Sequence, residues 1–237
     1  MKIFQEGAAY KSCAIEIMGR TKYSEEERKR IIIHFLQCTR EIINFEGIDQ
    51  VSIRKVAEYA GCNSATIYLY FENVDELITL ASMGYLENYC RTLTADMPLM
   101  KTSYEAYLHT WRVFSFHAFS SPKVFYHLFF HPHSKPLSEM IARYYKIYPN
   151  QVGGSAGPIH DMLLEGELEA RNMKVLRPVA EECHLDEEET VLINDLTICY
   201  FKKLLEEHGG ESGAIATDRA TQRMMDAICF LMKHIKE

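Results

Sequence analysis

The chain has 237 residues, 47% of them hydrophobic and 25% charged, with a formal net charge of -7. That length allows one or two domains and hides roughly 70–75% of the unfolded surface, so the composition excludes both a disulfide-stapled miniature fold and disorder along most of the chain. No apolar run approaches the roughly 18 residues of a membrane helix, and the first twenty residues mix Lys2, Glu6, Lys11 and Glu16 into the apolar ones, unlike a secretory signal. Seven cysteines without a C-x-x-C pair fit reduced thiols in the cytoplasm better than a secreted framework. The acidic balance opposes a wholesale basic nucleic-acid binder but leaves room for a local basic face. Residues 20–71 carry eight Lys/Arg against seven Asp/Glu, a net of +1, and the other 185 residues carry 18 against 26, a net of -8.

In chain order, residues 1–19 read as an N-terminal extension, followed by Arg20 and Lys22, a short basic arm or a merely solvated surface. Ser24 with Glu27 three residues later reads as a capping box. Ile31, Ile32, Phe35, Leu36, Thr39, Ile42 and Ile43 then form a helical stripe, and Gly47 ends it. Ser52 caps a short helix through Ala60, Gly61 supplies a tight turn, and Asn63 or Ser64 caps a second short helix running to Tyr70. Ala57, Gly61 and Ile67 stand where a helix-turn-helix needs a small contact residue, a turning glycine and a β-branched filler. Val56, Cys62 and Ile67 face the core on this reading. Ser64, Ala65, Thr66, Tyr68, Leu69 and Tyr70 face outward, and tyrosines shown to solvent call for something to dock on them. An ordinary helical hairpin with a glycine turn has the same spacing.

Further helical stripes are Leu77, Ile78, Ala81, Gly84, Tyr85, and Tyr104, Tyr107, Leu108, Trp111, Ser115, Ala118. No stretch alternates with a period of two, so the chain reads as all-α, with about nine or ten helices. Thirteen of the 27 aromatic residues fall between Tyr104 and Tyr148. They line an apolar pocket or simply fill the core; the pocket reading takes Tyr107, Trp111, Phe114, Tyr126, Phe129, Phe130 and Glu165, with Glu165 as a polar handle in a helix that also holds Gly166. His127, His131 and His133 have a spacing that suits Zn or Ni, with no carboxylate or cysteine near in sequence except Glu139, and surface or pocket histidines are the preferred reading. Gly153 to Gly157 lacks the Lys-Ser/Thr of a phosphate loop and reads as a flexible connection. The last two helices are apolar around most of their circumference and need burial on more than one face. A second copy of the chain is the economical partner, with Leu192, Leu196, Cys199, Met224, Ile228 and Leu231 in the seam; a central helix in a monomeric bundle has the same pattern.

A long helix before the hairpin and Tyr70-Phe71 with Glu76-Leu77 after it complete an arrangement that resembles the DNA-binding domain of the TetR (tetracycline-repressor-like) transcriptional regulators. The resembling residues are Ser52, Val56, Ala57, Gly61, the run Ser64 to Tyr68, Tyr70, Phe71, Glu76 and Leu77, within Ser24 to Leu80. The resemblance implies a helix-turn-helix domain over residues 20–75 and a ligand-binding and dimerisation domain over 76–237. It also implies a helical homodimer joined through its last two long helices, a double-stranded operator and a small-molecule effector. It places Ser64, Ala65, Thr66 and Tyr68 in the major groove and Tyr70 on a phosphate. Ser52 meets a phosphate at a helix start, with Arg54 and Lys55 adding charge. Two departures stand out. Val74 occupies a position where many relatives carry a phosphate-binding Lys, and after Asn63 the reading helix has no Arg, Asn or Gln for bidentate base contacts. Weak non-specific binding, thymine-methyl contacts through Ala65 or Thr66 and indirect readout follow. No G-x-S-x-G, G-x-G-x-x-G or H-E-x-x-H motif points to an enzyme or a cofactor. The expected activity is a ligand-released repressor without metal. A His-rich metal-binding protein or enzyme, and a hairpin that docks another protein, are the rival classes.

Overall fold

The structure, a computed structural model, describes residues 23–149, 158–209 and 213–233. The extension over 1–19, the arm at Arg20 and Lys22 and the glycine-rich stretch 153–157 lie outside the described residues. Among the described residues there are eleven α-helices, two 3-10 turns and no strand. The all-α expectation therefore holds with more, shorter helices than the periodicity suggested. No described helix is long and apolar enough to cross a membrane, and the six described cysteines are free thiols. The chain divides into two compact units, one ending at Ala81 and one beginning at Ser82.

In the first unit, α1 (Glu25–Glu46) starts on the capping box that the sequence carries. The Ser24 hydroxyl accepts from the Glu27 N–H at 3.2 Å, and the Glu27 carboxylate accepts from the Ser24 N–H at 2.8 Å. These two bonds satisfy donors that a helix start leaves without partners. Gly47 ends the helix at φ 96°, its N–H shared between the carbonyls of Ile42 and Ile43. After a 3-10 turn at Ile48–Gln50 come α2 (Ile53–Ala60), α3 (Ser64–Ile67) and α4 (Val74–Asp96). Phe35, Leu36, Ile42, Val56, Ile67 and Leu77 are fully buried and form the centre of this unit. The ring of Phe35 lies 5.8 Å from Tyr70 and 6.2 Å from Phe71, so the segment after α3 is held against α1 by aromatic contact.

The second unit continues through a 3-10 turn at Met97–Leu99 to α5 (Ser103–Ser120), α6 (Pro122–Phe130), α7 (Leu137–Ile147), α8 (Pro158–Leu164), α9 (Leu168–Glu182), α10 (Glu187–His208) and α11 (Ala214–Lys233). Helix α5 packs against α9, α10 and α11, and α8 packs against α9. Phe114 is the hub of the aromatic set, its ring 5.1 Å from Phe201, 5.2 Å from Tyr89 and 5.7 Å from Trp111. Tyr107, Trp111, Phe114, Phe119, Phe125 and Tyr144 of the aromatic cluster are buried in the core of this unit. Gly166 lies in the turn between α8 and α9, not inside a helix as expected; a Cβ there would come within 2.8 Å of the Ser138 backbone nitrogen. Close backbone approach selects the glycine.

Helix α10 buries Ile193, Thr197, Ile198, Phe201, Leu204 and Leu205 and leaves Leu192 59% and Leu196 44% exposed, with Cys199 exposed one turn on. Met224 and Ile228 of α11 are 0% and 1% exposed within the unit. They are removed from the expected dimer seam, because α11 spends that face on α5 and α10 of its own chain. Leu231 is half-buried.

Candidate functional site

Two places in the chain combine exposed or unsatisfied chemistry with rigid support. The first is the α2–α3 hairpin. The Ser52 hydroxyl accepts from the Lys55 N–H at 3.2 Å and starts α2. Gly61 ends it in the left-handed region at φ 68°, its N–H on the carbonyls of Ala57 and Glu58, and the Cys62 N–H reaches the Ala57 carbonyl at 2.9 Å. Two residues later the Asn63 side chain accepts from the Ala65 N–H at 2.9 Å and starts α3. Ala57 and Ile67 are buried where the two helices meet. Helix α3 is shorter than expected: its regular part ends at Ile67 and residues 68–70 form a turn.

That geometry sorts the expected DNA-contacting residues. Ser52, Arg54, Ala65 and Tyr68 are exposed, and Ser64, Lys55 and Tyr70 are half-exposed. Thr66 is a correction: it is 7% exposed and turns inward beside Ile67, because four helical residues place 66 and 67 together on the core side. Leu69 is exposed and joins Tyr68 on the outer surface. Lys55 forms an ion pair with Glu46, which also accepts from the Tyr59 hydroxyl at 2.9 Å. These two hydrogen bonds, Lys55 first, hold the Glu46 carboxyl below its ordinary value. The Arg28 guanidinium sits 5.3 Å over the Tyr70 ring, and burial pushes the Tyr70 phenol up.

The second place is a narrow cavity in the second unit, lined by Tyr89, Trp111, Phe114, Met162, Arg171 and Asn172 among others. Its free volume is about 20 Å³, room for about one water molecule. The Trp111 indole N–H donates to the Asn172 carbonyl oxygen at 2.8 Å, and the Asn172 amide donates to Asn194 at 3.0 Å. Tyr107 is buried beside this chain of amides, and burial pushes its phenol up to about 12. Arg171 is buried next to Asn172, with Phe129 5.3 Å beneath its guanidinium. Of the expected pocket residues, Trp111 and Phe114 line this cavity. Tyr126 and Phe130 are half-buried and pair with each other, ring centroids 5.7 Å apart, with Phe130 6.2 Å from Phe201. Glu165 does not supply a polar handle by its side chain. Its carboxylate meets Lys174 at 3.5 Å, and its main-chain carbonyl accepts from Arg171 at 2.7 Å.

Residues 35–80 match the family model of bacterial regulatory proteins of the tetR family. Residues 35–80 form a TetR-family domain. Its buried Ala57, left-handed Gly61 and buried Ile67 are among the features that the TetR resemblance rests on. A curated relative, an uncharacterized HTH-type transcriptional regulator of Haemophilus influenzae, is 33% identical over 75 residues, covering 32% of this chain and 40% of that one. Among solved structures, RolR in complex with the ligand resorcinol aligns with a TM-score of 0.55 at 13% identity, over 90% of this chain and 96% of that one. A transcriptional regulator of Pseudomonas aeruginosa aligns with a TM-score of 0.50 at 19% identity, over 89% and 92%. At those identities the likeness outside the TetR domain is one of fold.

Sequence reasoning missed Arg171, Asn172 and Asn194. The signal was present: Leu168, Arg171, Asn172, Val175, Leu176 and Val179 follow the i, i+3, i+4, i+7 rule and are all buried. Two polar residues inside a core-facing stripe mark a site that core packing alone does not require. The three histidines expected as alternative metal ligands do gather. Ring centroids are 5.0 Å apart for His127 and His131, 4.9 Å for His127 and His133, and 5.6 Å for His131 and His133. One His133 ring nitrogen also lies 3.2 Å from the Leu128 carbonyl.

Proposed function

We propose that this TetR-family protein is a sequence-specific DNA-binding regulator, acting as a homodimeric repressor that a small molecule releases. The observation that carries the reading is the α2–α3 hairpin, which leaves Ser52, Arg54, Ala65, Tyr68 and Leu69 outward on one short, glycine-turned support. Ala65, Tyr68 and Leu69 offer methyl and ring surface to thymine methyls, while Ser52 and Arg54 offer a hydroxyl and a cation to phosphates. Lys55 contributes less than its charge suggests, because Glu46 already holds it. The exposed stripe of Leu192, Leu196 and Cys199 on α10 supports pairing with a second copy, and a two-fold dimer reads a near-palindromic operator. The cavity beside Trp111, and the fold likeness to a regulator solved with resorcinol, support a small-molecule effector. Such an effector releases DNA only if it binds the non-binding form more tightly.

Duplex binding by two variants tests the reading. Arg54→Ala weakens all duplexes by a similar factor and flattens the salt slope of the dimer by about 1.8, one phosphate contact from each subunit. Tyr68→Ala changes the preference between duplexes. Lost preference in Arg54→Ala with Tyr68→Ala silent contradicts the assignment. The gathering of His127, His131 and His133 favours a second reading, a metal centre. Stoichiometric metal that co-purifies and depends on His127 and His131 supports that reading, and operator binding that survives chelation counts against it.

A further inference from the structure

We propose that the cavity beside Trp111 takes a single-ring aromatic carboxylate, with the Arg171 guanidinium as its counter-charge. The proposal rests on the reading of the second unit as ligand-binding and narrows the ligand to one chemical class. Arg171 is 2% exposed. Its Nε donates to the Glu165 carbonyl at 2.7 Å and its Nη2 to the Leu163 carbonyl at 3.0 Å. Its Nη1 is equally buried and has no hydrogen-bond partner among the described residues. Main-chain carbonyls satisfy donors but bring no negative charge, and a guanidinium buried without a paired anion is costly. The charge of Glu165 reaches the guanidinium, yet its carboxylate is held against Lys174 at 3.5 Å on a side chain 37% exposed. Cys90 and Tyr145, which also flank Arg171, stay neutral at physiological pH, each pushed up to about 12 by burial. A carboxylate supplies what is absent: an acceptor for Nη1 and a compensating charge.

The walls argue for an aromatic body. Tyr89, Trp111 and Phe114 line the cavity, and Phe129 lies beneath the guanidinium. The free space of about 20 Å³ is far below the range of about 300–1,000 Å³ for drug-sized ligands, so the smallest aromatic body, a single ring, asks for the least opening. Because only about 20 Å³ is free, the ring enters by displacing a side chain. Met162, unbranched and part of the lining, is the one most able to move.

The test titrates the full chain with benzoate, its neutral isostere benzamide, and resorcinol, followed by Trp111 fluorescence and by melting temperature. Benzoate shifts the emission and raises the melting temperature, and benzamide binds at least roughly tenfold more weakly. Arg171→Gln brings benzoate down to the benzamide level, while Arg171→Lys, which keeps the charge, retains the preference. Benzamide binding as tightly as benzoate, or resorcinol binding alone, overturns the anion proposal and leaves the ligand-binding reading standing. The wild-type comparison decides this even if Arg171→Gln fails to fold without its two carbonyl bonds. If none of the three probes moves Trp111 or the melting temperature, the ligand-binding reading fails and takes the proposal with it.

Discussion

Gly61 stands at φ 68° with open space where a Cβ would point, so a substitution there meets a conformational penalty and not a clash. Gly61→Val therefore costs about 1–3 kcal/mol, and Gly61→Asn costs less because Asn tolerates the left-handed region. The first transition in urea unfolding reads the order of the two variants; equal loss of stability contradicts the backbone argument. Gly166 is the opposite case, an ordinary backbone position crowded by Ser138 at 2.8 Å. Gly166→Ala must push two main chains apart and costs about 1–3 kcal/mol. It also disturbs the turn whose Glu165 carbonyl Arg171 holds. The turning glycine was legible because its neighbours, Ala57 and Ile67, carry the spacing of a hairpin. The crowding at Gly166 was not, since the chain that crowds it is 28 positions away in sequence.

At the scale of elements, side-chain caps were the most legible feature. Ser24, Ser52 and Asn63 each start the helix expected of them, through a local oxygen that accepts a main-chain N–H. The length of α3 was not legible. Residues 68–70 keep helix-compatible side chains but form a turn, with the Phe35 ring against Tyr70 and Phe71 just beyond α3. On α10 and α11 the double apolarity was visible, but which residues face outward depends on packing against α5 and α9 that no local pattern encodes. Leu192, Leu196 and Cys199 are the outward set. Leu196→Glu should therefore leave the fold intact, shift sedimentation towards monomer and lower operator affinity. Ile228→Glu, at 1% exposed, should unfold the second unit. Alkylation gives an independent check. Cys199 reacts in dilute protein and is protected as concentration rises, whereas Cys38, pushed up to about 11 by burial, stays slow throughout. Cys199 reactivity independent of concentration contradicts an α10 seam.

At the scale of the whole molecule, the proposal joins a reading hairpin in the first unit to an effector cavity in the second. Coupling of that kind is reciprocal: a ligand that lowers operator affinity by some factor must itself be bound more weakly by the same factor when operator is present. An effector that changes operator affinity without the matching change in its own affinity contradicts a single coupled equilibrium. Beneath this lies the central claim, that the α2–α3 hairpin reads DNA sequence although its reading helix lacks Arg, Asn and Gln after Asn63. Selection of bound sequences from random duplexes at physiological salt tests it most directly. The account predicts enrichment of a near-two-fold symmetric site with thymines facing Ala65, Tyr68 and Leu69, and loss of that enrichment at those positions with Tyr68→Ala. Recovery of an unenriched pool, or of the same site from wild type and Tyr68→Ala alike, would contradict it.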